Sequence, residues 1–163
     1  MKNSVAKHLN LTLSDAIQES FYDEKSKHEV LVIKPELLRS VISIMKKELF
    51  YDMLMDIAAV DRGVEAIERF ELIYLFYHSR ENTRVCIKTI LPDNKFPKIE
   101  SLYDIFGAAN WAEREAFDMM GIVFSGHPNL ERLLMWDAFE GHPLRKDYPL
   151  DRRQAIPKTK ELL

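Results

Sequence analysis

A single cysteine, Cys86, stands in the 163 residues. One thiol cannot form an internal disulfide, and it cannot supply the ligands of an iron–sulfur cluster. Glycine is equally scarce: the five glycines never fall in a Gly-x-Gly pattern, so neither a phosphate loop nor a dinucleotide fingerprint is present. Binding of NAD or ATP by this chain is therefore disfavoured. No run approaches the ~20 apolar residues of a membrane helix, and the opening MKNSVAKHLNLTLSDAIQES lacks the apolar stretch of a signal peptide. A net charge of only −3 removes any global electrostatic case for nucleic acid or for an anionic membrane. Together these absences predict a soluble chain that meets a membrane only through another protein.

What remains is ample for a core. Hydrophobic residues make up 47% of the chain, enough for one globular domain and a tail. Residues 1–27 offer one short helical candidate, 12–20, with Thr12 or Ser14 as its cap. EVLVI, starting at Glu29, reads as a strand that stops at Pro35, and proline suits the first turn of the helix that follows. Leu38, Val41, Ile42, Met45 and Leu49 then recur at spacings of three and four, which is one helical stripe. Period two takes over in residues 51–61, placing Tyr51, Met53, Met55, Ile57 and Ala59 on one strand face. RFELIYLFYHS is apolar on both faces, as a central strand is, and TRVCIKTIL supplies a third strand after a short turn. The pattern predicts an α+β fold: strand, helix and antiparallel meander, mainly antiparallel, with helices on one sheet face.

A last helix is expected in NWAEREAFDMMG. Asn110 and Glu113 have capping-box spacing, Arg114 and Asp118 have i, i+4 spacing, and Gly121 suits a left-handed stop. Four of the seven prolines follow it, at 128, 143, 149 and 157, and spaced prolines imply extended chain without a core of its own. From His142 onward, six Lys and Arg face three acids, +3, against −6 for the part before it. That asymmetry suggests a tail that leaves the domain to dock elsewhere. The expected organisation is an N-terminal helical segment 1–27, an α+β body 28–125, and an extended tail 126–163.

The tail also carries the residues that look like chemistry. GHPNLERLL and GHPLRKDYPL each begin with Gly-His-Pro. His127, His142 and Asp147 are metal-ligand types that a metal-dependent hydrolase could use, but zinc ligands usually lie three to five residues apart on a rigid element. Glu113, Glu115 and Asp118 crowd one helix, as acid–base work requires, yet no nucleophile accompanies them. Arg145, Lys146, Arg152, Arg153, Lys158 and Lys160, with Tyr148, could track a nucleic acid. Asp147, Asp151 and Glu161 interrupt that run, and a basic tail in an acidic protein groove explains it better.

From Ala109 to Leu150 the residues ANWAEREAFDMMGIVFSGHPNLERLLMWDAFEGHPLRKDYPL resemble the C-type (30-kilodalton) subunit family of NADH–quinone oxidoreductase, respiratory complex I. The resemblance extends upstream to about residue 28. It rests on Glu113, Arg114, Glu115, Asp118, Gly121, His127, Pro128 and Arg132, and on the block Gly141, His142, Pro143, Leu144, Arg145, Lys146, Asp147, Tyr148 and Pro149. The family pattern expects a basic residue or proline where this chain has Glu131, and Arg132 is then expected to take over the contact. The resemblance implies a subunit without a cofactor of its own, FMN, iron–sulfur clusters and quinone being held by other subunits. It implies partners in the large D-type (49-kilodalton) quinone-site subunit and the cluster-bearing B-type and I-type subunits, with no nucleic acid. It further implies a place at the inner membrane, peripheral and on the cytoplasmic side. Membrane-bound hydrogenases and deazaflavin-type dehydrogenases contain related subunits. On this footing the signature charges are expected to face a neighbouring subunit.

Overall fold

A computed structural model describes residues 4–155; Pro157, Lys158, Lys160 and Glu161, part of the expected tail, lie outside them. The elements run α1 (Val5–Thr12), β1 (Ile17–Asp23), β2 (His28–Ile33), a 3-10 turn (Pro35–Leu37), α2 (Leu38–Lys47), β3 (Met53–Asp61), β4 (Phe70–His78), β5 (Thr83–Leu91), β6 (Lys98–Glu100), α3 (Ala109–Met120) and β7 (Val123–Ser125). Five strands form one sheet in the order β1-β2-β5-β4-β3, and β6 and β7 form a small parallel pair. The expected meander β3-β4-β5 is antiparallel throughout, and β2 joins it by pairing parallel with β5. The fold is α+β, with mostly antiparallel pairing.

Each helix turns its apolar stripe to the same sheet face. Leu9 of α1, Val41 and Met45 of α2 and Met119 of α3 share one core with Phe70, Leu72, Tyr74 and Phe76 of β4. Burying a side chain such as Phe70 or Phe76 contributes roughly 1.5–3 kcal/mol. On the outward face of β4, Glu71 is buried between Arg62 and Lys88, while Ile73, Leu75 and Tyr77 are half-buried.

Three local expectations are corrected. Residues 12–20 are not a helix: α1 ends at Thr12 and β1 begins at Ile17. Pairing with β2 across the turn at Asp23, whose carboxylate accepts from Lys25 N–H and Ser26 Oγ–H, draws this segment into the sheet. The true first helix is capped from a distance, because Glu29 of β2 accepts from Val5 N–H, Ala6 N–H and Ser4 Oγ–H. The alternation in β3 is broken by a bulge between Leu54 and Asp56. A bulge inserts one residue and reverses the facing that follows, so Leu54 and Ile57 are buried while Met53 and Met55 are exposed.

Candidate functional site

α3 organises the polar residues of the motif, and its two ends are held differently. At the N-terminal end no side chain caps the helix, so the Asn110–Glu113 capping box does not form. Glu113 is fully buried and reaches outward from the helix: it accepts from Ser101 Oγ–H at 2.6 Å and Leu102 N–H at 2.7 Å. Burial pushes its pKa up, against the pull of those two donors. Arg39 of α2 donates to Ser101 O at 2.7 Å and pairs with Asp104, bracing the same loop. Glu115 points to solvent.

The C-terminal end is closed by the segment after β7. An α-helix leaves its last four carbonyls without internal partners. Here Asp118 O accepts from His142 Nδ1–H at 3.0 Å and Met119 O from Leu144 N–H at 3.1 Å. Met120 O accepts from Arg145 Nε–H at 2.6 Å, and Gly121 O from Arg145 Nη2–H at 3.3 Å. GHPLRKDYPL is thus a helix cap written in another part of the chain. Its shape comes from successive turns, Arg145 N–H to His142 O around Pro143 and Tyr148 N–H to Arg145 O. Gly141 (φ 91°) lies against the Tyr148 ring, 3.0 Å from where a Cβ would sit. Pro128 and Pro149 are exposed.

Asp118 is the hub of this end. Fully buried, it would be unfavourable in the last turn of a helix, yet one oxygen accepts from Leu133, Leu134 and Met135 N–H and the other from Arg132 at 2.6 Å. Burial raises its pKa, and those donors reverse the effect and hold it below the usual carboxylate range. The expected Arg114–Asp118 pair is absent: Arg114 donates to Glu131 O and Arg132 O and lies 5.2 Å from the Trp111 ring. At position 131 the backbone carbonyl accepts from Arg114, while the exposed Glu131 carboxylate accepts from Asn129 Nδ2–H at 3.2 Å. Arg132 keeps its own partner, Asp118.

A second hub lies on the sheet. Asp61 is fully buried at the end of β3 and accepts from Arg69 Nε–H at 2.9 Å, from Gly63 N–H at 2.9 Å and from Lys146 N–H at 2.8 Å. Burial works to raise its pKa, but these donors bring it down to about 2. Arg69 also pairs with Asp147 at 2.8 Å, and Arg69 and Arg145 lie 4.7 and 5.1 Å from the Phe70 ring.

The structure does not assemble His127, His142 and Asp147 into one centre. His127 donates from Nε2 to Asn110 O and accepts Asn129 N–H at Nδ1, at the first turn of α3. His142 sits at the last turn, eight residues or about 12 Å along the axis. Burial, with Arg145 and Arg132 nearby, lowers the His142 pKa and keeps its ring neutral. Asp147 is engaged by Arg69 on the sheet. Among the described residues no group of three His, Cys, Asp or Glu is placed to hold a metal ion.

The model of the respiratory-chain NADH dehydrogenase 30-kilodalton subunit family matches residues 31–154. The chain belongs to that family. The C-type subunit of NADH-quinone oxidoreductase from Trichlorobacter lovleyi is 41% identical over 121 residues, 74% of each chain. The C-type subunit from Geobacter metallireducens is 37% identical over 142 residues, covering 86% of this chain and 87% of the relative. The C/D 2 subunit of the same oxidoreductase from Aquifex aeolicus is 35% identical over 158 residues, 94% of this chain, which spans only 26% of that longer relative. Among solved structures, Nqo5 as a trypsin-resistant fragment (1-134) superposes with a TM-score of 0.56 at 27% identity, covering 63% of this chain and 83% of the fragment. A chain of the archaeal membrane-bound sulfane sulfur reductase shares the fold, with a TM-score of 0.75 at 24% identity and coverage of 90% and 84%.

Within this family motif, sequence reasoning finds Asp118, Arg132 and Arg145 but misses what they touch. It also misses Asp61, Arg69 and Ser101. A charged residue beginning or ending an apolar strand, as Asp61 and Arg69 do, is the available signal. Polar groups that end a core strand seldom stay unpaired.

Proposed function

We propose that this 30-kilodalton-family chain is a non-redox architectural subunit of NADH–quinone oxidoreductase. It supports electron transfer from NADH to quinone by holding the large D-type subunit beside the cluster-bearing B-type and I-type subunits. FMN, iron–sulfur clusters and quinone belong to those other subunits. The observation that carries the proposal is the use of the motif: Glu113, Asp118, His127, His142, Arg145 and Asp147 all engage partners within the chain. Residues spent on holding a surface in shape suit a scaffold. The C/D relative, whose name joins both types in one polypeptide, supports the D-type partner. Trp111, Leu134 and Leu144 are each more than half exposed along the helix and its capping segment, and large apolar residues there suit a protein interface.

Among the described residues no helix is long and apolar enough to cross a membrane. Attachment to the cytoplasmic side of the inner membrane is accordingly proposed to run through the rest of the complex. The test is affinity purification from the native host. The tagged chain should bring down the D-, B- and I-type subunits, and Trp111→Ala with Leu144→Glu should reduce both their recovery and NADH–quinone turnover in proportion. A variant that assembles fully yet loses turnover by orders of magnitude would overturn the scaffold role.

A further inference from the structure

Residues 129–154 contain little regular structure and one buried apolar side chain, Phe139. That ring is covered within the segment, by Trp136 at 5.0 Å and Tyr148 at 5.9 Å. Only Leu130 and Met135 pack partly on the main core. The buried core cluster of sheet and helices, by contrast, is drawn entirely from residues 5–124. The segment is attached by polar contacts at four places: the Arg114 guanidinium, the Asp118 carboxylate, the last carbonyls of α3, and the Asp61–Arg69 pair. It begins just past β7, where Gly126 is left-handed (φ 84°) with open space around it and His127 is fastened to the first turn of α3.

We infer that residues 129–154 form a strap that opens and closes on the body as one unit, pivoting beyond His127 and latched at Asp118 and Asp61. Segments with few buried apolar contacts open at lower free energy than the core. The two latches are joined through the strap: Arg132, which holds Asp118, also donates to Phe139 O and Gly141 O, and Leu144, Arg145, Lys146 and Asp147 then bridge from the α3 terminus to the sheet. Loss of one latch therefore weakens the other. Opening leaves the α3 terminus with unpaired carbonyls and the bare Asp118 carboxylate, an electronegative end that draws the strap's Arg132 and Arg145 back. Closure sets Arg114 against the strap carbonyls, so the surface around Trp111 takes its final form only in the shut state. The strap is a property of this chain alone, whichever partner it meets.

Hydrogen exchange on the full chain at neutral pH tests it. The amides of Leu133, Leu134, Met135, Leu144 and Lys146 should exchange together, at least tenfold faster than those of β4 and β5. Asp118→Asn should speed exchange at Lys146, which it does not touch, and Asp61→Asn should speed exchange at Leu133–Met135, with β4 protection unchanged. Deprotection confined to each variant's own contacts, or strap amides as slow as β4, would overturn the strap. Trypsin provides a check on the unaltered chain: first cuts after Arg132, Arg145, Lys146 or Arg152 support it. First cuts within residues 17–91 refute it.

Discussion

Glu113 and Asp118 stand five residues apart on α3, both shut away from solvent, and their surroundings drive them in opposite directions. Asp118 receives four donors and stays ionised; Glu113 receives two, and burial prevails. Removing the Glu113 carboxylate strands Leu102 N–H and Ser101 Oγ–H, each worth about 1–3 kcal/mol when buried without a partner. Glu113→Ala should thus cost roughly 2–4 kcal/mol, read from urea unfolding. Glu113→Gln should cost much less, because its carbonyl can accept from Leu102 while its amide donates to Ser101 Oγ. The pH dependence separates the two effects. A carboxyl with a raised folded pKa contributes stability that is complete below its ordinary value and lost as pH rises through the raised one. The Gln variant should therefore gain on the wild type as pH rises from about 4 towards neutrality, and a constant gap would contradict the burial of an ionisable Glu113. Helical spacing puts both carboxylates on one helix correctly. It cannot distinguish them, because Ser101 and residues 133–135 lie outside any helical spacing.

At the scale of elements, periodicity locates α2, β4, β5 and α3, whose apolar patterns are long and face a single core. It fails where a distant group intervenes: β1 follows its pairing with β2, and α1 is capped by Glu29 from the sheet. A distant group also shapes the described part of the expected tail: spaced prolines suggest extended chain, whereas Pro143 lies in the turn from His142 to Arg145 that brings donors back to α3. Gly121 is legible as a stop, and the structure adds a second demand on it. A Cβ there would lie 2.5 Å from the His142 ring and from Arg145 Nη2, at φ 69°. Gly126 has a similar φ, 84°, and nothing within 4 Å. Comparing the two therefore isolates the contact from the backbone strain. Gly126→Ala should cost about 1–2 kcal/mol, the left-handed penalty alone. Gly121→Ala should add an overlap cost of about 1–3 kcal/mol, seen as a larger fall in the urea midpoint. Equal shifts would mean that the strap is not seated on α3.

For the molecule as a whole, acid should separate strap from body. Asp61, Asp118 and Asp147 all have depressed folded pKa values, so their stability is present above the unfolded value and lost as pH falls through the folded one. Asp61, with a folded value of about 2 against 3.8, contributes about 2 kcal/mol by this linkage. Each of these carboxylates lies where strap meets body: Asp61 meets Lys146 N–H, Asp118 holds Arg132, and Asp147, in the strap, pairs with Arg69. Glu113, which ties α3 to the β6 side of the body, has the opposite sign and gains as acid protonates it. Acid thus weakens the strap's latches while strengthening an attachment within the body. Trp136 lies in the strap and Trp111 on the helix beneath Arg114, so tryptophan fluorescence reports on the strap, whereas far-ultraviolet circular dichroism is dominated by sheet and helices. On acidification the fluorescence transition should come at higher pH than the dichroism transition. Added salt should move the gap little, because Asp61 and Asp118 are buried and weakly screened. Coincident transitions would place the strap in the same cooperative unit as the sheet, with its latches contributing to the fold as a whole.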